Sequence, residues 1–387
     1  MLKTQIAHTT EVDDIELAVE TIKSQLRLND LSAHSVGIIT CHFEFIHSGV
    51  LKTLCDALPF EVIGSVTTDQ ATNAEMGNFL LTVIVLTGNN VEFILKATPS
   101  LTDSAHKQVE QAYIEASSHR IDKPALVLTL MPFMMHFSAN EFVDLLSQIT
   151  NNEVPCFGTV SIDATGTFLD CFVCMNGEVY LDRVVMLLIY ADITPRFFLA
   201  TISPEKILPN SALITKSSGA ILMEVNGHSV GKYFADLGLA DATGQYATAA
   251  LPFVLNYEDG TPPVSRVFVG STPENYAICA GNIPEGSTMS VGVFDKEDVL
   301  LTTGGAVKKA MEYDLPNASC MLMYSCVTRN MSLGGEAKAE MELVRNIVGE
   351  KLPFVMAYSN GEICPMEISD VKAINRFHNN TFIICLF

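Results

Sequence analysis

The sequence predicts a mixed α/β (α+β) protein, with mixed β-sheets flanked by helices and built from three βαββ-like repeats in two lobes. Three observations predict it: a strand–helix–strand–strand pattern that recurs three times, apolar runs of strand length, and a composition rich in core. Hydrophobic residues make up 48% of the 387 residues and charged residues 17%. That supply offsets the ordering entropy of a chain too long for one compact core. Two domains, or one large repeat-built body, are therefore expected.

In the first copy, the apolar strand Val36 to Cys41 precedes a helical stretch around Gly49 to Leu58. A second strand ends at a glycine, Glu61-Val62-Ile63-Gly64, and a polar loop leads to a third strand, Phe79 to Leu86. The second copy has a strand from Ala125 to Leu130 and a helix beginning at Ser138. Ser138 with Glu141 three residues on is a capping-box signature, and Phe142, Leu145, Leu146 and Ile149 follow helical spacing. Pro155-Cys156-Phe157-Gly158, a loop through Asp163 and a strand from Val184 to Tyr190 complete it. The third copy runs from the strand Ala318 to Ser325, through a helix Glu336 to Val348, to Pro353-Phe354-Val355-Met356. The loop Tyr358-Ser359-Asn360-Gly361-Glu362 and the closing strand Phe382 to Phe387 end the chain. In each copy the first connection suits a parallel crossover and the second an antiparallel return. Extra strands are expected between units, at Val91 to Lys96, Arg196 to Ile202, Ala212 to Thr215, Val267 to Val269, Tyr276 to Gly281 and Met289 to Phe294.

The balance of 23 Lys+Arg against 44 Asp+Glu gives a formal charge of −21. Such a surface repels phosphate backbones and anionic headgroups, so neither nucleic acid nor a membrane is expected as a partner. Apolar runs such as Phe79 to Leu86 fall far short of the roughly 20 residues that span a bilayer. The N-terminus reaches Glu11, Asp13 and Asp14 without an apolar segment, so no signal peptide is expected. Ten cysteines lie scattered, mostly in apolar runs, as packed thiols of a reducing cytoplasm. Cys171 and Cys174 form one C-x-x-C in an expected strand, Phe168 to Met175, where neither a second pair nor nearby histidines complete a zinc set.

The loops behind the glycines carry the candidate chemistry. A chain leaving the carboxyl end of a strand beside a crossover helix sits where open α/β sheets form ligand crevices. Three such loops bring hydroxyls and acids together: Ser65, Thr67, Thr68 and Asp69; Thr159, Ser161 and Asp163; Ser359 and Glu362. Small polar residues of this kind also simply make turns.

Recognisable motifs complete the picture. Tyr324-Ser325-Cys326-Val327-Thr328-Arg329 resembles the S-C-x-G-R motif of the FIST C-terminal domain. Leu352-Pro353-Phe354 and Tyr358-Ser359-Asn360-Gly361-Glu362-Ile363-Cys364-Pro365 resemble its P-F-x-G-x-Y-x-x-G-E-I-x-P. Gly281 to Ser287 resembles its I-P-E-G-S turn, and Val62 to Thr67 is similar to the V-I-G-C-S-T segment of the N-terminal domain. Pro155 to Gly158 with Asp163 resembles a second glycine loop. The chain departs from the pattern at Thr328, at Met356 and at Val66 and Asp69-Gln70.

The resemblance implies a FIST N-terminal-like domain over 1–222 and a FIST C-terminal-like domain over 223–387. It implies a cytoplasmic sensory protein that binds a small ligand, such as an amino acid or small carboxylate, and signals through a separate protein such as a histidine kinase. The expected ligand-binding residues are Gly64, Ser65, Thr67, Gly158, Asp163, Ser325, Arg329, Tyr358, Ser359, Gly361 and Glu362. Arg329 suits a ligand carboxylate held bidentately, or a structural acid such as Glu362. No enzyme activity, metal or cofactor is expected.

Two other readings carry their own residues. Gly227-His228-Ser229-Val230-Gly231 matches G-x-S-x-G between a strand and a helix, so a serine hydrolase would use Ser229, an acid such as Asp314, and His378. The bland counterpart is an Asn226-Gly227 turn with Ser229 as helix N-cap. A haem-binding nitric-oxide sensor, known among proteins that resemble this family, would take an axial histidine from His42, His47, His136 or His228.

Overall fold

The structure, a computed structural model, describes residues 2–239, 251–258, 260–313, 318–334, 336, 338–368 and 372–387. The threefold recurrence is present, and each unit is longer than the sequence pattern suggested. Every unit opens with an antiparallel strand, Lys3–Thr9, Val91–Ala97 or Arg196–Ala200, and a helix, Ile15–Gln25, Ala105–Ser117 or Lys296–Tyr313. The sequence pattern places the second and third of these strands between units; the structure makes them the first strand of the second and third units. Lys3–Thr9 was not expected at all: it is a half-exposed edge strand bonded only to Leu81–Thr87, and its mixed residues give little apolar signal.

The core of each unit is a parallel pair joined by a helix. Ser35–Cys41 pairs with Glu61–Val66, Leu126–Met131 with Cys156–Val160, and Met321–Cys326 with Phe354–Ser359. The helices Val50–Ala57, Ala139–Ile149 and Ala339–Val348 make the crossovers. The closing strands Leu81–Thr87, Val185–Ala191 and Phe382–Leu386 return antiparallel beside the first strand of each pair. The capping box forms as read: the Glu141 N–H donates to Ser138 Oγ at 3.1 Å, and the Ser138 N–H to Glu141 Oε2 at 2.8 Å.

Successive strand residues face opposite ways. Val36 and Ile38 join Leu126, Leu128, Leu322 and Tyr324 in one core shared by all three sheets, while Ile39 and Cys41 pack against their own unit's helices. The three sheets thus enclose a common centre with helices outside. Strands buried on both faces read as continuous apolar runs, which is why the sequence exposed them so clearly.

The sequence did not reveal how the units are tied together. Between its second and closing strands each unit sends a hairpin to another unit's sheet. Gln70–Thr72 with Met76–Gly77 extends the third sheet, Val173–Met175 with Glu178–Tyr180 the first, and Glu362–Ile368 with Ala373–His378 the second. Each sheet gives one hairpin and receives one, so the exchange closes in a circle. Size is matched across the seams: Gly64 faces Cys174 and Gly158 faces Ile363, whereas Met356, at the equivalent register, faces the small Ala71.

A fourth, wholly antiparallel sheet interrupts the third unit between Arg196–Ala200 and Lys296–Tyr313. Its strands run from Ala212–Ser218 to Thr288–Val291 around their own core, where the rings of Phe234, Phe253 and Phe268 lie within 5.5 Å of one another. Among the described residues no helix is long and apolar enough to cross a membrane. The expected strand from Phe168 begins only at Val173, because the Asp163 carboxylate accepts N–H groups from Thr165, Gly166 and Asp170 and curls the chain between them. Cys171 and Cys174 are free and buried, like the other eight cysteines.

Candidate functional site

The three loops meet at one place. The Ile162 N–H donates to Val66 O at 3.3 Å, which joins the second loop to the first. The Val160 N–H donates to Gly361 O at 3.0 Å and the Asn360 N–H to Val160 O at 2.9 Å, which joins the third loop to the second. The Tyr358 N–H donates to Asp69 O at 3.0 Å, and Thr67 Oγ1 donates to Tyr358 O at 2.8 Å, which closes the ring. The exchanged hairpins produce this contact, since each carries its loop beneath the next sheet.

Most of the expected ligand residues lie in or beside this ring, and they are buried. Thr67, Ser161 and Ser359 stand at equivalent positions of the three units, each 1% exposed. Ser161 Oγ donates to Cys171 O at 2.6 Å, and Ser359 Oγ to Glu362 Oε1 at 2.5 Å. Gly64 and Gly158 sit where no side chain fits. A Cβ on Gly64 would lie 2.8 Å from Cys174 Sγ, and one on Gly158 would fall inside the Thr129 carbonyl group. Gly361 has φ +139°, and a Cβ there would lie 2.5 Å from Phe377 Cζ. Burial opposes ionisation of Asp163, but N–H groups of Asp170, Gly166 and Thr165 and the Thr165 hydroxyl outweigh it and hold its pKa below the usual range.

Ser325, Arg329 and Tyr358 belong to a second cluster behind the third sheet, centred on Glu340. Arg329 donates from Nε to Glu340 Oε1 at 3.1 Å and from Nη2 to Thr303 Oγ1 at 2.6 Å, with both charged residues fully buried. Ser325 Oγ and Tyr358 Oη donate to Glu340 Oε2 at 2.8 and 2.9 Å. The structural acid beside Arg329 is therefore Glu340, and Glu362 bonds instead to Ser359 and Thr381. Glu340 was absent from the sequence reading, although its spacing to Val344 and Val348 placed it on the buried face of its helix.

Burial pushes the Glu362 carboxyl up to about 8, against the hydrogen bonds of Ser359 and Thr381 that favour the charged form. The unfolded side chain ionises at an ordinary value, so the folded state binds the extra proton in between. Stability from this group is present below the unfolded value of 4.5 and is lost as pH rises toward about 8. Glu362→Gln is expected to remove that slope, which denaturant titrations at several pH values will show as a variant that gains on the parent with rising pH.

A cleft of about 290 Å³ opens against the ring. Val160 and Asn360 form its inner end, Pro132 to Met135, Phe137 to Ala139 and Phe168 one wall, and Ala220, Val269 and Ile278 to Gly281 of the fourth sheet the other. Sequence reading missed this wall because its residues come from turns and from a sheet outside the repeat. The hydrolase residues are not brought together. Ser229 is an exposed N-cap that accepts from Lys232 N–H, His378 is fully buried with Nε2 against Cys364 O at 3.1 Å, and Asp314 lies outside the described residues. The four histidines offered for a haem lie away from the cleft. His47 pairs with Asp170 at 2.8 Å, His42 accepts from the Glu44 N–H between the rings of Phe43 and Phe79, His136 and His228 are exposed, and none lines the cleft.

Three interlocked mixed α/β units with an inserted antiparallel sheet define the class of protein. Residues 35–228 match the FIST N domain and residues 232–365 the FIST C domain, so the chain belongs to the FIST family. FIST domains are sensory domains of signal transduction. No curated protein matches the sequence. Among solved structures the chain is similar to a cyanuric acid hydrolase from A. caulinodans, with TM-score 0.37, 9% identity and coverage of 100% of this chain and 99% of that one. It is also similar to T. maritima PurL complexed with ATP, with TM-score 0.20, 8% identity and coverage of 100% and 71%. Likeness at this level bears on neither fold nor function.

Proposed function

We propose that this protein is a cytoplasmic sensor that binds a small organic ligand in the cleft beside the three-loop ring and signals through a separate protein, such as a histidine kinase. The observation that carries this reading is the continuity of ring and cleft through Val160 and Asn360. A ligand there touches the second unit, the third unit's hairpin and the inserted sheet at once. Its affinity then depends on how these bodies sit together, and its binding biases any equilibrium between their arrangements. On this reading Gly64, Ser65, Thr67, Gly158, Asp163, Tyr358, Ser359, Gly361 and Glu362 hold the loops that present the ligand seat. Ser325 and Arg329 support the third loop from behind through Glu340. Ten unpaired, buried cysteines accord with a reducing compartment.

A thermal-shift screen tests the reading, beginning with the amino acids and small carboxylates that the family resemblance brings forward. A ligand specific to the folded chain at 100 times its Kd stabilises by about 2.7 kcal/mol, which raises the melting temperature by several degrees. A screen across charged, polar and apolar small molecules that moves it nowhere would overturn the sensor reading.

A further inference from the structure

The chemistry of the cleft goes beyond the sensor reading, on which it rests, to the class of ligand. Neither wall carries an acidic or basic side chain, so an ammonium or a carboxylate that entered would lose its hydration and meet no opposite charge. One wall is instead aromatic and thioether, where Phe133 stacks tilted on Phe168 at 4.6 Å and Met134 and Phe137 continue the surface, and the other is small and aliphatic, with Ala220, Val269 and Ile278. The rim is apolar too. Met135 is 77% exposed and Val269 58%, on a chain whose formal charge is −21. Exposed apolar side chains gathered at the mouth of a cavity mark a binding site more often than a solvated surface.

Hydrogen-bonding capacity is left over at the inner end. Asn360 spends its main-chain N–H on Val160 O, and its side-chain amide has no partner among the described residues. One layer behind, Asn379 is fully buried with both amide atoms unpartnered among the described residues, its Nδ2 3.1 Å from where a Cβ on Gly361 would lie. Buried amides of this kind ordinarily find a partner. The cavity lies at the small end of the range for ligand sites, which suits a molecule of about one or two rings.

We propose that the cleft binds an uncharged aromatic molecule with a single polar group, which meets Asn360 at the ring of loops while the rings of Phe133 and Phe168 cover its apolar body. Amino acids, with two charges, and simple carboxylates, with one, then bind more weakly than the uncharged molecule. A second copy of this chain, inserting an apolar side chain, is the competing occupant.

Indole is the natural probe, because it has this chemistry and because the chain contains no tryptophan. Its fluorescence, excited at the red edge where tyrosine does not absorb, reports binding to the full-length protein without background. Titrations compare indole with phenylalanine, phenethylamine and phenylacetate. Indole is expected to bind, with the three charged probes at least about tenfold weaker, since one uncompensated charge costs more than the 1.4 kcal/mol of a decade. Val269→Asp, at an exposed rim position where folding tolerates the change, is expected to weaken indole by about tenfold. Asn360→Leu is expected to weaken it several-fold through the lost hydrogen bond. Leu301→Asp, on a remote exposed helix position, is expected to leave binding unchanged and controls for the added charge.

Equal or tighter binding of a charged probe would overturn the inference and leave the sensor reading standing. Indole binding that ignores both Val269→Asp and Asn360→Leu would move the site elsewhere, with the same consequence. If no probe binds and Val269→Asp instead abolishes self-association in sedimentation, the cleft belongs to a second copy and the inference fails. If no probe binds and nothing self-associates, the inference fails, and the wider screen decides the sensor reading independently.

Discussion

Gly158→Ala is expected to cost at least about 3 kcal/mol of stability, the upper end for overpacking, because the atom in the way is backbone. The added Cβ would occupy the space of the Thr129 carbonyl in the parallel neighbour strand, and its atoms belong to a peptide group that cannot rotate aside. Relief requires the Leu126–Met131 and Cys156–Val160 strands to separate, and the received strand Glu362–Ile368 bonds to the second of these. The damage therefore reaches the junction of all three loops. Urea denaturation is the check, with a lowered midpoint or, if the seam opens in the native state, a reduced slope as well. A variant with parental stability would mean that the pairing described at Gly158 is wrong. Gly64→Ala is the milder comparison, since the nearest obstacle there is the Cys174 thiol at 2.8 Å, a side chain able to shift.

Arg329→Ala follows, with an expected loss of about 3 to 5 kcal/mol, the usual result of leaving one member of a buried ion pair uncompensated. Glu340 would keep the hydroxyls of Thr303, Ser325 and Tyr358 but lose the only cation bonded to it among the described residues, with no exposure to water. Set against a typical total of about 5 to 15 kcal/mol, that is a large share of the whole. Removing both charges, in Arg329→Ala with Glu340→Ala, should cost less than the sum of the single losses, and the coupling measures the pair. The competing role, a ligand carboxylate on Arg329, predicts the reverse pattern: near-parental stability with lost ligand binding.

Why were some of these features legible in the sequence and others not? The paired core strands stood out because burial on both faces writes unbroken apolar runs such as Ile38-Ile39 and Leu126-Val127-Leu128. Ser138 and Glu141 announced their helix through a local hydrogen-bond exchange that needs nothing from elsewhere in the chain. The exchanged hairpins had no such local signature. Gln70–Thr72 is three residues long, and its main chain pairs with Val355 to Ala357 of the third unit, nearly 300 positions away. The sequence could group Gly64, Gly158 and the third loop as similar pieces of chain. It could not show that Ile162 bonds to Val66 and Tyr358 to Asp69, which is what makes them one place. Glu362 was read as the end of a loop and proves to start a strand, because the receiving partner Thr159 lies in another unit. The cleft was the least legible feature of all, since half of its wall comes from the inserted sheet.

Residue-resolved amide exchange under rising denaturant tests the ring most directly. The amides of Ile162, Val160, Asn360 and Tyr358 each bond to a carbonyl of a different unit, so the account predicts that all four open together with one shared free energy. Distinct opening energies for the Tyr358 and Ile162 amides, with one loop exchanging freely while the others stay protected, would contradict it.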